Sequence, residues 1–125
     1  MLADEKLTAF LWTADAERAR AFYEGVLGLT FAGDHGHLVH FESGPTRVAF
    51  VRSEAPITPP PGTAMGWQVR DLIATVKDLT ARGVAFERGD LPHDDLGIWS
   101  PVPGQGVAWF LDPDGNRLSV NGPLV

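Results

Sequence analysis

An internal repeat constrains the fold of this chain more than any other feature of its sequence. Residues 7–13 (LTAFLWT) are an apolar run typical of a buried strand, and Asp15 follows as a candidate helix N-cap. Residues 65–69 (MGWQV) and Asp71 repeat this arrangement. The two aspartates lie 56 positions apart, which indicates that one structural unit occurs twice.

Each candidate cap is followed by apolar residues at helical spacing and then by a glycine. In the first copy these residues are Ala19, Phe22, Tyr23, Val26 and Leu27, and in the second copy they are Leu72, Val76 and Leu79. Gly28 and Gly83 are placed to end the two helices, and they lie 55 positions apart. The repeat therefore changes register by one residue inside the helix.

Extended segments follow both helices. The first copy continues with residues 29–31 (LTF) and then a hairpin across Gly44-Pro45, and the second has residues 84–86 (VAF) at the matching place. A second hairpin turns at residues 112–116 (DPDGN), where proline suits the first corner and glycine the left-handed position. In the irregular region before that hairpin, residues 97–100 (GIWS) are a candidate short strand.

One pair of these extended segments also looks alike in sequence. Residues 47–51 (RVAFV) resemble residues 107–111 (VAWFL), and we match these two segments as counterparts. The order strand, helix, strand and further strands thus occurs twice.

A proline-rich connector separates the copies. Residues 53–63 contain four prolines, which forbid a helix and favour a stiff extended segment. A flexible linker between two domains is the alternative, but each half has only about 60 residues and is marginal for independent folding. We therefore expect one domain over residues 1–125, with half 1 at about 5–52 and half 2 at about 64–122.

Composition limits the classes of function. Apolar residues make up 44% of the chain, its formal net charge is −6, and it has no cysteine. The chain therefore offers no thiolate nucleophile, and we expect neither nucleic acid nor an anionic membrane as a partner. A neutral or cationic small ligand suits this charge. Acidic residues near the N-terminus do not suit a secretory signal, so we expect a cytoplasmic protein.

Two sequence motifs, each at its expected place in the repeat, resemble those of a known family. Residues 21–29 (AFYEGVLGL) and 110–120 (FLDPDGNRLSV), with the openings at Asp15 and Asp71, resemble the vicinal oxygen chelate superfamily of glyoxalases, bleomycin-resistance proteins and extradiol dioxygenases. The resemblance implies an α+β fold of two βαβββ modules side by side, forming a cup-shaped mixed sheet with the helices outside. It also implies a homodimer and, in most relatives, a metal ion in the cup.

The ligand positions implied by the resemblance lack metal-binding side chains. One lies seven residues before Asp15, at Thr8, and the matching place in the other half is Ala64. A third lies three residues after Asn116, at Ser119. Alanine has no donor atom, and neutral hydroxyls are poor ligands beside carboxylate or imidazole. The sequence therefore predicts no metal and no other cofactor.

The histidines offer little replacement for those ligands. On a regular strand His37 and His40 point to opposite faces and cannot hold one ion. His93, Asp94 and Asp95 are adjacent in a loop and converge on an ion only if that loop bends sharply. A solvated polar loop and a loop that contacts a ligand without metal are the alternatives.

Strand alternation predicts the side chains that face a ligand. If Thr8 faces the cup, Phe10 and Trp12 share its side, and Gln68 shares the side of Ala64. A planar organic ligand needs aromatic walls with a few polar groups. These aromatic residues also suit a core or a dimer interface.

The remaining candidates lie on other strands and in the loop. Trp109 and Phe110 must face opposite ways, and we favour Trp109 for the cup. His40 shares a face with Glu42 and offers either an acid–base pair or a plain polar face. The predicted ligand-binding residues are Phe10, Trp12, His40, Gln68, His93, Trp99 and Trp109.

Three functions remain open on the sequence. The first is a metal-free binding protein that sequesters an aromatic natural product or drug, as bleomycin-resistance proteins of the family do. The second is a lyase, isomerase or dioxygenase-type enzyme acting on a small oxygenated substrate. The third is a structural or regulatory dimer without a ligand. We favour the first, because the usual metal ligands are missing.

Overall fold

A computed structural model describes all residues, 1–125, and divides them into two compact units. The first unit is Met1–Thr58 and the second is Pro59–Val125. Each unit combines one mixed four-stranded sheet with helical segments, so the chain belongs to the α+β class, as predicted. Neither unit contains a helix with the length and apolar character needed to cross a membrane.

The first unit is a βαβββ module. After a short 3₁₀ turn at Leu2–Asp4, its elements are β1 (Thr8–Thr13), α1 (Ala16–Arg20), a π-helical turn (Ala21–Val26), β2 (Thr30–Asp34), β3 (Leu38–Ser43) and β4 (Thr46–Arg52). The strand order is β1-β4-β3-β2. Only β1 and β4 run parallel, while the other neighbours are antiparallel.

The second unit repeats that module. Its elements are β5 (Thr63–Gln68), α2 (Leu72–Ala81), β6 (Trp99–Val102), β7 (Gln105–Leu111) and β8 (Arg117–Pro123). The order β5-β8-β7-β6, with β5 parallel to β8, reproduces the topology of the first sheet. The predicted duplication of a βαβββ unit is thereby confirmed.

One sequence match between the copies is wrong. Residues 47–51 lie in β4, which pairs with the first strand of its unit, and β8 holds that place in the second unit. Residues 107–111 lie in β7, whose counterpart is β3. The error has a simple cause, because buried strands share apolar composition whichever neighbour they pair with.

The helix ends form where the sequence predicts them. The Arg18 backbone N–H donates to Asp15 Oδ1 at 3.0 Å, and the Ala74 backbone N–H donates to Asp71 Oδ1 at 3.1 Å. Gly28 and Gly83 take left-handed φ values of 79° and 99° after the last helical residues. These caps satisfy backbone groups that the helices leave unpaired.

The one-residue difference between the copies is absorbed by the π-helical turn. The Leu27 backbone N–H donates to the Phe22 carbonyl at 2.9 Å, which is an i to i+5 hydrogen bond. Such a wider turn accommodates one residue more than an α-helix does. The first copy accordingly has thirteen steps from Asp15 to Gly28, and the second has twelve from Asp71 to Gly83.

Each sheet buries one face under its own helical segment. In the first unit the rings of Tyr23 and Phe50 lie 4.5 Å apart between centroids, and both side chains are fully buried. In the second unit α2 buries Leu72, Val76 and Leu79, as its spacing predicts.

The region after α2 differs from the expected extended segment. Residues 84–86 form a single bridge, between Phe86 and Phe110, instead of a strand. The second strand of this module, β6, begins only at Trp99, so a long loop precedes it and carries several polar residues.

Candidate functional site

The uncovered face of the first sheet carries two of the predicted aromatic residues. In β1, Leu11 and Thr13 are buried, whereas Thr8, Phe10 and Trp12 are exposed. The exposed fractions of Phe10 and Trp12 are 66% and 55%. The predicted alternation is therefore present, and both rings stand on the face opposite the helix.

His40 lies on the same face of this sheet. Ala49 is its register partner in β4 and is also the partner of Phe10, so the three residues form one row across the strands. The ring centroids of His35 and His40 are 4.9 Å apart. His40 Nδ1 is buried and has no hydrogen-bond partner. Desolvation first, and then the charge of Arg47, lowers the pKa of His40.

Glu42 does not act with His40 as a hydrogen-bonded pair. Lys6 Nζ lies 2.8 Å from one carboxylate oxygen of Glu42, and Arg47 Nη2 lies 2.8 Å from the other. The hydrogen bonds from Lys6 and Arg47 lower the pKa of Glu42. This geometry favours the plain polar face over the acid–base pair.

The open face of the second sheet carries Trp109. Trp109, Ser119 and Gly66 are register partners across three strands and therefore share this face. Phe110 is fully buried on the other side. The choice between Trp109 and Phe110, which alternation alone left open, is settled by the helix that covers the Phe110 side.

An open cleft lies against Trp109 within the second unit. Its lining residues come from β6, β7, β8 and the loop before β6; they are Glu87, Gly89, Asp90, Leu91, His93, Gly97, Trp99, Trp109 and Arg117. The Trp99 and Trp109 rings stack with centroids 5.9 Å apart and planes at 28°. The cleft thus has an aromatic wall with charged groups around it.

One hydrogen bond and one cation–π contact hold the indole of Trp109 in place. Its Nε1–H donates to Thr63 Oγ1 at 3.1 Å. The Arg117 guanidinium carbon lies 4.6 Å from the Trp109 ring centroid, within cation–π range. Arg117 Nε in turn donates to Glu87 Oε2 at 2.9 Å, and Arg117 Nη2 lies 2.9 Å from the same oxygen in an ion pair.

The structure brings three of the seven predicted ligand-binding residues into one cleft, namely His93, Trp99 and Trp109. Gln68 is exposed on β5 and does not line the cleft. The other three are in the first unit. Sequence reasoning missed Glu87, whose role depends on contact with a residue 30 positions away. No local pattern signals such a contact.

The residues at the family's metal positions do not fit a divalent ion. Thr8 and Ala64 offer a hydroxyl and a methyl group, both exposed. Ser119 lies against the bare backbone of Gly66, where a Cβ atom would overlap its Oγ. In both units, no group of three or more His, Cys, Asp or Glu side chains is arranged to hold a metal ion.

The side chain of Asp94 serves the loop backbone instead of an ion. Asp94 Oδ1 accepts hydrogen bonds from the backbone N–H groups of Leu96 and Ile98, both at 2.9 Å. His93 Nδ1 lies 3.1 Å from the Asp94 carbonyl oxygen. The Asp95 carbonyl accepts from Arg88 Nη2 at 2.8 Å. These contacts close the loop and place His93 at the edge of the cleft.

Solved structures share this fold along the whole chain. One is TnmS3, an antibiotic binding protein from Streptomyces sp. CB03234, with 24% identity, a TM-score of 0.71 and 98% coverage of both chains. Lactoylglutathione lyase from Agrobacterium tumefaciens is 20% identical, with a TM-score of 0.70 and coverage of 98% of this chain and 96% of that one. A glyoxalase family protein from Enterococcus faecalis is 18% identical, with a TM-score of 0.73 and coverage of 97% and 99%.

The family itself is shown by sequence. No curated protein matches the chain. A family model matches residues 7–120, a range that spans both modules and both sequence motifs described above. The chain therefore belongs to the glyoxalase/bleomycin resistance protein/dioxygenase superfamily.

Proposed function

We propose that this protein binds a planar aromatic small molecule without a metal ion and sequesters it, as a natural-product or drug-binding protein does. The observation that carries the proposal is the stacked pair Trp99 and Trp109, which walls an open cleft beside an ion pair. Large flat apolar surfaces with a few placed polar groups are what an aromatic ligand needs.

The cleft is organised before any ligand arrives. Thr63 and Arg117 hold the Trp109 indole, and Glu87 holds Arg117. A ring that is already fixed loses little side-chain freedom when a ligand stacks on it, so more of the contact energy appears as affinity.

Two further observations support binding without metal. The side chains at Thr8, Ala64 and Ser119 are poor metal ligands, so chelation of a substrate through a resident ion has no support from those positions. Among proteins of the same fold, TnmS3 is described as an antibiotic binding protein. The shared fold makes the same kind of role reasonable for this chain.

The other predicted residues belong to the proposal as well. Phe10, Trp12 and His40 lie on the uncovered face of the first sheet, and we propose that they contact ligand there. Gln68 is exposed on β5, and we propose it separately as a ligand contact of the second unit. We also propose a cytoplasmic homodimer. The exposed rings of Phe10 and Trp12 support an interface, because aromatic side chains are enriched where subunits meet.

Tryptophan fluorescence tests the proposal directly. Titration with a panel of planar aromatic compounds should quench or shift the emission, because two of the four tryptophans line the cleft. Trp109→Leu should weaken binding about tenfold or more, measured by calorimetric titration, because it removes the stacking surface. Trp67→Phe is the matched control, since Trp67 does not line the cleft.

Two results would contradict the proposal. One is a correctly folded protein, checked by circular dichroism, whose fluorescence no compound changes. The other is a Trp109→Leu variant that binds as tightly as the parent. Metal analysis after purification without chelators tests the metal-free part, which fails if one ion per chain is retained.

A further inference from the structure

Acidic side chains outnumber lysine and arginine side chains in and around the cleft. Residues 87–95 contain four acids and one base, and two of those acids, Glu87 and Asp90, line the cleft. Arg117 is the one arginine or lysine in the lining. The formal charge of these lining groups is therefore negative when histidine is neutral, in the same direction as the net charge of −6.

The single lining cation is already engaged. Arg117 donates one hydrogen bond from Nε to Glu87 Oε2, forms an ion pair with it through Nη2, and lies over Trp109. An anionic ligand can still reach the remaining N–H groups of Arg117, but Glu87 then stands beside the anion as a like charge. Arg88, the base of the loop, donates to the Asp95 carbonyl and packs close to Gly97.

Asp90, in contrast, is available to a ligand. It is exposed, it lines the cleft, and it takes part in none of the ion pairs of the structure. A cation entering the cleft gains this carboxylate and leaves the Arg117–Glu87 pair intact. The Trp99 ring adds to the preference, since indole rings attract cations and the Trp109 ring already has Arg117 over it.

From these groups we infer that the cleft selects planar aromatic cations, such as rings that carry a protonated amine or amidine, over aromatic anions of the same size. The inference rests on the proposed function and names the ligand class of the same site. Asp90 is the residue that determines this charge preference, and Trp99 with Trp109 supplies the surface common to all flat ligands.

Three compounds that differ only in one substituent test the inference. Naphthylmethylamine is a cation at neutral pH, naphthylmethanol is neutral, and naphthylacetate is an anion. Calorimetric titration at low salt should give the affinity order amine, alcohol, acetate, with the amine about tenfold or more tighter than the acetate. Added salt should narrow this difference, because it screens the partly exposed charges.

Two variants separate the local charge from the charge of the whole protein. Asp90→Asn should weaken binding of the amine about threefold and leave binding of the alcohol unchanged. The substitution neutralises one nearby carboxylate without a change of side-chain shape. Asp4→Asn removes the same charge at an exposed residue that does not line the cleft, and it should change the affinity of neither the amine nor the alcohol.

The outcomes distinguish the inference from the function beneath it. If the alcohol binds through Trp109 but the acetate binds as tightly as the amine, the cleft binds aromatic compounds and the charge preference is overturned. The role of Asp90 in that preference is overturned if Asp90→Asn and Asp4→Asn lower the affinity for the amine equally. If none of the three compounds binds, the proposed function fails and the inference fails with it.

Discussion

Gly66 shows how one residue sets the distance between two strands. Its register partner is Ser119, and a Cβ atom built at Gly66 would overlap Ser119 Oγ and lie 3.0 Å from the Ser119 carbonyl oxygen. We predict that Gly66→Ala lowers the free energy of unfolding by about 1–3 kcal/mol, since the backbone must shift as well as the hydroxyl. Urea denaturation measures this loss. Adding Ser119→Ala should restore only part of the stability, and full restoration would show that the hydroxyl alone is in the way.

His40 links the stability of the first unit to pH. Desolvation and the charges of Arg47 and His35 lower its pKa in the folded state, and Glu42 opposes them. Below the usual histidine pKa the unfolded chain therefore binds a proton more readily, so stability falls as pH falls. When the pH is lowered from about 7.5 to about 5.5, the free energy of unfolding should fall less in His40→Gln than in the parent. His37→Gln is the control; an equal effect of both variants would contradict this role of His40.

Two glycines in and after the first helical segment should respond to alanine substitution with opposite changes in stability. Gly25 lies inside the π-helical turn, has no positive φ, and has open space where a Cβ would stand. Gly28 has equal space but a φ of 79°. Gly25→Ala should therefore raise the free energy of unfolding by about 0.4–1 kcal/mol, and Gly28→Ala should lower it by about 1 kcal/mol. Thermal denaturation of the pair compares the signs; a stabilising Gly28→Ala would refute the assignment of Gly28 as the helix end.

The whole chain is proposed to behave as one domain and as a homodimer. Each module alone has about 60 residues, a size at which a single core is marginal. Calorimetry should give one unfolding transition, since neither half is expected to persist alone. The transition temperature should rise with protein concentration, because dissociation accompanies the unfolding of a dimer. Two separated transitions would reject the single domain, and a temperature independent of concentration would reject the dimer.

Much of the fold was predictable because its determinants are local. Alternation along β1 follows from the two-residue period of a strand, and the caps at Asp15 and Asp71 depend on backbone groups three residues away. The duplicated order of elements and the family motifs follow from the same short-range patterns.

Tertiary structure decided what depends on distant residues. The equivalence of β4 with β8 is a matter of strand pairing, which apolar composition does not specify. The cleft exists because the loop before β6 meets β7 and β8, and the Glu87–Arg117 pair joins residues 30 positions apart. The sequence by itself thus determined the repeated unit and the side chains of its faces. Only the packing of the chain brought an aromatic wall, an engaged arginine and an available carboxylate together, because non-local contacts form only when the strands pair.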